Sequence, residues 1–485
     1  ARVVRDDEAV GSSPTSPTMS KLVKFISDNK AFVAISAVFF VIYSLLSLVN
    51  HYNFRTSTLD LGIYNRAIFR YAHFQSATDD IIYSSLNRQG DHFEITMILS
   101  APLYYIFGSY SLLVFQILMA MFGATGIYVY LNEKTSDRWL SMGGAVIFYS
   151  FYGLFAGILF DYHNNLTGIM FLPWILLAIA KNSKKYYYLL LALMILSKEP
   201  FALLAVFLGA YVALFENKEW RKHGLITVLI GALSFKFILS VIIPYFSNYQ
   251  PYGHWVYGQI GEGPMDAIKN LTLHPLNALK IIFNNQIKLN SLALLGVSGG
   301  IIAIFNPLAA ILFAPLLATK YFSSAVNHWT YYFQYNVEFG PIMAISLVLV
   351  LKKLPKKLQY IILSLFIILN LLISFTAPFN DWKRVTDIFT YNFYFDSRAN
   401  DMRTAIKQIP ANASVSAENN FVPHLINREK IYLFPRGIAE SEYVILNVHP
   451  AYSQIINELK SYGGFQLFYK INNVEIYKKE TAEVR

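Results

Sequence analysis

Several short stretches of this chain place acids, bases and cations where apolar segments meet polar ones. The first, TSTLDLGIYNRAIF (residues 56–69), follows directly on an apolar run of membrane length. Read as a helix from Asp60, it sets Leu61, Tyr64, Ile68 and Tyr71 on one apolar face and Arg66, Arg70 and His73 on another. That is the pattern of a helix lying in a membrane interface rather than crossing it. Asp60 at its head reads as an N-cap, and a capped carboxylate is also held rigidly enough for chemistry. RQGDHFE brings Asp91, His92 and Glu94 together after a glycine turn; a metal or acid/base role stands beside that of a solvated loop. FDYHNN sets Asp161 and His163 at the spacing of a short turn that ligates a divalent cation or simply closes a polar hairpin. SKEP (197–200) interrupts about 30 mostly apolar residues with Lys198 and Glu199. Charges at membrane depth are costly and face a cavity or a partner, so Lys198 reads as meeting an anion such as a lipid phosphate. Pro200 suits the first turn of the next helix, with Glu199 at its positive end. Two aromatic loops, YFSNYQPYGHWVYGQ (245–259) and NHWTYYFQYNVE (327–338), carry His254, Trp255, Tyr257 and His328. They read as interfacial aromatic belts or as surfaces that stack on a sugar while Asn and His serve its hydroxyls.

The elements that must hold these residues are dictated by composition. Of 485 residues, 55% are hydrophobic and 14% charged, with 38 Phe and 34 Tyr. The apolar residues fall in blocks long enough to cross a bilayer, so the chain is a polytopic α-helical membrane protein. The net charge of +10 comes from Lys and Arg clustered between apolar blocks, which argues for membrane topology and against nucleic acid. No cysteine is present, which excludes disulfides and thiolate metal sites. About 11 transmembrane helices are expected, near 32–49, 110–131, 139–158, 165–180, 186–197, 200–215, 224–244, 291–305, 307–319, 336–351 and 358–377. The basic clusters then share one side, the cytoplasm. Residues 94–107 are expected as an interfacial or half-inserted helix, because a full span there would break this alternation. The opposite side holds the loop 50–93 and everything after residue 377. Residues 1–18, polar and rich in Ser, Thr and Pro, read as a disordered leader or expression remnant. Residues 19–377 form the transmembrane domain. Residues 378–485 mix polar and apolar residues in short periodic runs and read as an extracytoplasmic α/β domain, with strands at ASVSA, KIYLF and YVILNV and a terminal hairpin through an Asn-Asn turn.

In this order the motifs resemble the GT-C superfamily of membrane glycosyltransferases. The chain looks closest to a prokaryotic membrane family of unknown function grouped with it. The resemblance rests on LDLGIYNRAIF, GDHFEITMILSAPLYYIFG, FDYHNN, SKEP and SVSAENNFVPHLINREKIYLFP, and spans roughly 32–470. It implies a GT-C-like fold and an inverting transfer of sugar from a polyprenyl-phosphate donor to a glycan, lipid or protein acceptor at the external face of the inner (plasma) membrane. It implies Asp60 as general base, with Asp91 as the alternative. Lys198, Arg66 and His328 would bind the donor phosphate; Glu199, His254, Trp255 and Tyr257 would bind substrate. Asp91, His92, Asp161 and His163 are the candidate ligands for a divalent cation, Mg or Mn. Two rival readings share these residues: a flippase of lipid-linked sugars, and a scaffold whose soluble domain binds a partner. The acids all lie toward one face, which favours the enzyme.

Overall fold

The computed structural model describes residues 17–82, 86–250, 252–379, 383–461 and 464–480. The leader expected over 1–18 lies outside them except for its last two residues, which open the helix Pro17–Asp28. Apolar blocks in a lipid environment satisfy their backbone groups internally, and each of the eleven expected segments is helical. Among the described residues, six helices are long and apolar enough to cross a membrane, or seven when Arg138–Ser150 and Tyr152–Leu159, bent by 45° at Phe151, count as one. Asn164–Ala180, Glu199–Phe215 and Pro307–Tyr321 are shorter apolar helices. The hairpin of Glu199–Phe215 with Lys218–Phe237 is tight because Gly209 and Gly224 face each other's backbone, where a Cβ would collide. Residues 101–107 form a helix that breaks at Gly108, whose φ of +53° is open to glycine, and Tyr105 and Ile106 beside it are exposed.

The loop after the first span (Lys30–Tyr52) holds a π-helical turn, Thr58–Gly62, a helix, Ile63–Ala72, and a small antiparallel pair, β1 (Thr78–Asp79) with β2 (Leu86–Asn87). The sequence placed this helix in the membrane interface; instead Ile63 to Ile68 are all buried, Arg66 among them at 1% exposure. Carbonyls of Ile426, Arg428 and Glu429 in the C-terminal domain cover Arg66, while Tyr64 and Asn65 meet Glu94 and the Ser109 carbonyl in the membrane domain. That domain is a five-stranded sheet of β3 (Val415–Ala417), β4 (Ile431–Leu433), β5 (Tyr443–Asn447), β6 (Phe465–Ile471) and β7 (Val474–Lys479), in the order β4-β3-β5-β7-β6. β3 runs parallel to both its neighbours, while β7 is antiparallel to β5 and β6. Helices Ser397–Ile406 and Ser453–Ser461 complete it. The Leu433 N–H donates to the Ile81 carbonyl at 3.3 Å, joining sheet to loop.

Candidate active site

Asp60 lies inside the π-helical turn and caps nothing, contrary to the sequence reading; Ser57 occupies the N-cap position. The Ser57 hydroxyl donates to Asp60 Oδ2 at 2.9 Å, and His163 Nε2 stands 3.2 Å from Asp60 Oδ1. The Ser57 N–H donates to Asp161 Oδ2 at 2.7 Å, so one serine holds both acids. Asp161 has φ of +54° and is buried, whereas the Asp60 side chain keeps 27% of its surface. The two environments differ in sign. Burial alone would raise Asp60, but the hydrogen bond and charge of His163, the Ser57 hydroxyl and the nearby Lys383 cation carry it below its ordinary range. Burial pushes Asp161 up to about 6, with Asp60's charge adding to the rise while Lys383 resists it. Paired acids driven apart in this way divide acid and base roles. Lys383 itself donates to the carbonyls of Arg55 and Leu159 at 3.0 and 3.3 Å.

A second group of charges is built around Glu94 and Glu199, both buried. Glu94 receives the Tyr64 hydroxyl at 3.1 Å and pairs with Lys198 and Arg88, each at 3.3 Å. Burial works against the Lys198 charge, yet Glu94, Tyr64 and Glu199 outweigh it and hold the ammonium more firmly than usual. Glu199 takes His92 Nδ1 at 2.8 Å, the Tyr252 hydroxyl at 2.9 Å and the Phe93 N–H at 3.2 Å. Asp91 pairs with Arg88 and accepts from His254 Nε2 at 2.7 Å, and the His92 and His254 rings stack at 3.8 Å. Burial would raise Asp91, but Arg88 and the two imidazoles hold it far below the usual carboxylate range.

Lys198, Glu199, His92 and His254 border a cavity of about 340 Å³. Lys320, Glu338, His328 and Tyr335 add polar groups to its lining, and Leu203, Phe235, Leu239, Leu271 and Phe322 are among its apolar residues, whereas Asp60, Asp91 and Glu94 lie outside the lining. Lys320 pairs with Glu338, which also accepts from Asn165 Nδ2 at 2.5 Å. Burial and the Lys320 and Lys198 cations push His328 down to about 3, so it faces the cavity as a neutral hydrogen-bonding group. Trp255 and Tyr257 spend their polar atoms on the Gly261 and Thr319 carbonyls, each at 2.9 Å, and offer the cavity their rings. Tyr335 lies within electrostatic reach of both Lys198 and Asp60, which links the two groups.

Arg66 does not belong to this site. Its guanidinium meets Asp80 at 2.8 and 2.5 Å and spends its remaining N–H groups on the carbonyls of Ile426, Arg428 and Glu429. It fastens the loop to the C-terminal domain, and no N–H is left for a phosphate. The four expected metal ligands also divide. Asp161 and His163 stand beside Asp60, while Asp91 and His92 join His254, with ligating atoms all within 4.8 Å of one another. The sequence reading missed Lys320, Lys383, Asn165 and Tyr335. Asn165 and Tyr335 lay within the quoted motifs FDYHNN and NHWTYYFQYNVE without being singled out, and Lys320 left a signal as a charge near the end of the apolar helix Pro307–Tyr321.

Fold and site together define a polytopic helical membrane protein whose buried ion pairs flank a cavity of mixed polar and apolar lining. The chain belongs to the predicted membrane protein family DUF2079, whose model matches residues 50–463. By sequence, no curated protein matches it. Two crystal structures of ArnT from Cupriavidus metallidurans share the fold. The one bound to undecaprenyl phosphate has a TM-score of 0.58 at 11% identity, covering 94% of this chain and 99% of that one. The apo form has a TM-score of 0.51 at 12% identity, covering 94% and 98%.

Proposed function

We propose that this protein is an inverting membrane glycosyltransferase that takes its sugar from a polyprenyl-phosphate donor. The observation that carries this reading is the cavity, whose lining joins two lysines to a set of apolar side chains. A phosphate on an isoprenoid chain calls for both. Undecaprenyl phosphate, bound in the ArnT crystal structure, supports a lipid of this class. In the reaction, Asp60 takes the proton of an acceptor hydroxyl as that oxygen attacks the anomeric carbon. The bond from that carbon to the phosphate oxygen breaks, and polyprenyl phosphate leaves with the electron pair. Lys198 and Lys320 neutralise the charge that develops on it, and His254 and His328 offer hydrogen bonds. Asp60 suits the base better than Asp91 because its hydrogen-bond partners are Ser57 and His163, whereas the Arg88 cation pairs with Asp91.

Asp91, His92 and His254 fit a divalent cation. Glu199 takes His92 Nδ1, the outer-shell bond that leaves the other ring nitrogen to a metal. Two imidazoles with one carboxylate suit Mn better than Mg. Such an ion would supply positive charge beside the donor phosphate. The membrane is the inner (plasma) membrane, with the site and C-terminal domain on its external face, and the acceptor is a glycan, lipid or protein.

The test uses purified protein in lipid discs, a panel of polyprenyl-monophosphate sugars and mass spectrometry of the released lipid. Wild type is expected to consume one donor, and Asp60→Asn to lose roughly 10²–10⁴-fold in rate, the usual worth of a general base. Equal consumption by both moves the base to Asp91. A donor that crosses the bilayer chemically unchanged makes the protein a flippase.

A further inference from the structure

The first turn of any helix leaves backbone N–H groups without partners, and a polar side chain at the N-cap ordinarily meets one of them. The turn that carries Asp60 departs from this. Ser57, at the N-cap, makes no capping bond, because its hydroxyl is spent on Asp60 and its N–H on Asp161. The partner comes from the other end of the chain. The Thr58 N–H donates to Asn419 Oδ1 at 2.9 Å, and the Thr58 hydroxyl donates to the Asn419 carbonyl at 2.7 Å. The Asn419 amide is itself oriented, since its Nδ2 donates to Asn420 Oδ1 at 3.2 Å.

Asn419 is well placed to be rigid. It follows the carboxyl end of β3, the buried strand that β4 and β5 flank in parallel, the position from which open α/β sheets present functional loops. Glu418 before it is bound on both sides: its N–H donates to the Ile445 carbonyl at 3.0 Å, and its carboxylate accepts from the Asn447 N–H at 2.8 Å. Val422 after it packs against Gly62, the last residue of the turn, so closely that a Cβ there would stand 3.3 Å from Val422 Cγ1. A serine released from capping is free to hold the carboxylate, and that arrangement needs a substitute cap.

We propose that Asn419 is a positioning residue for Asp60, capping from the C-terminal domain the turn that carries the carboxylate. The soluble domain thereby completes the active site without touching the reacting atoms. This rests on the glycosyltransferase reading for its effect on rate, but the cap itself is testable without turnover.

The experiment combines hydrogen exchange in lipid discs with donor kinetics on wild type, Asn419→Ala and Asn419→Asp. In Asn419→Ala, a peptide covering 56–62 is expected to exchange roughly fivefold faster or more, the usual worth of a lost cap, while 138–159 stays protected. Turnover is expected to fall roughly tenfold or more through misplacement of the base, with the donor KM unchanged within about twofold because the cavity is built elsewhere. Asn419→Asp keeps the accepting oxygen, so protection returns. Its added charge beside Asp60 moves the acid limb of the rate profile to higher pH. Unchanged exchange over 56–62 in Asn419→Ala overturns the proposal, as does a donor KM that rises as much as turnover falls. Should Asn419→Ala fail to fold, Asn419→Asp decides: an unmoved acid limb overturns the proposal, and a shifted one upholds it. If wild type consumes no donor, the glycosyltransferase reading fails, and the exchange of 56–62 decides the cap alone.

Discussion

Ser57 spends its hydroxyl on Asp60 and its N–H on Asp161, so a single residue sets the distance between two acids of opposite tendency. Asp161 is pushed up to about 6, first by burial and then by Asp60. The folded protein therefore binds its proton more tightly than the unfolded chain does. The contribution of Asp161 favours folding most below its ordinary value near 3.8, weakens as pH rises toward about 6, and is constant above that. Asp161→Asn keeps the acceptor for the Ser57 N–H and removes the charge. Relative to wild type it is expected to gain up to about 3 kcal/mol between pH 4 and pH 7.5, read from thermal unfolding in detergent at the two pH values. Asp60 and Lys198 were legible as site residues because a charge beside an apolar run is costly and needs a reason. Lys383 was not, since nothing in its own neighbourhood of the chain marks it. The ties that place it near Asp60 are carbonyls of Arg55 and Leu159.

On the proposed reading, helices Pro264–Leu273 and Pro275–Phe283 help to make the site one for a lipid. Ala267 and Leu271 line the cavity, while Met265, Leu273, Leu276 and Phe283 remain exposed, the two-sided apolar character of an interfacial helix. A charge at Leu271 would then meet the donor's hydrocarbon and leave the lysines untouched. Leu271→Asp is expected to raise the KM of long-chain donors roughly tenfold or more while sparing a donor with a short prenyl chain, because a carboxylate cannot be buried against hydrocarbon. The comparison of donors by chain length checks it. The sequence placed the helix from Asp60 in the membrane interface by its periodicity. That inference fails because periodicity reports which face differs, not what lies against it. Arg66, read as a ligand for the donor phosphate, is instead covered by carbonyls of residues 426–429.

At the scale of the molecule, the C-terminal sheet is bound into the loop of the membrane domain at several points. Asn53 and Arg55 reach the Phe393 carbonyl, Asn419 takes Thr58, Arg66 takes three carbonyls, and the Ile81 carbonyl takes Leu433. Arg66 is the most buried of these ties, and its partner Asp80 is shared with Arg70. Arg66→Ala leaves three carbonyls and part of a carboxylate unpaired. It is expected to cost about 2–4 kcal/mol. The readouts are a lower unfolding temperature and faster proteolysis within 397–480 than within the membrane helices. Loss of donor binding without loss of stability would return Arg66 to the phosphate site.

The sequence by itself determined that the chain is a polytopic helical membrane protein, where its helices run, and that an α/β unit follows them. Hydropathy blocks and period-two runs are local properties, and the bilayer and the sheet enforce them directly. It also marked Asp60, Asp91, His92, Lys198, Glu199 and His254, because polar residues at apolar boundaries stand out against their neighbours. Only the tertiary structure decided which of them meet. It split the acids and imidazoles into one group around Asp60 and another around Glu94 and Glu199. It added Lys320 to Lys198 in the lining of one cavity, and turned Arg66 from a ligand into a fastening. Pairing between side chains hundreds of residues apart depends on how helices cross and on which domain lies over them. Neither leaves a periodic trace in the chain.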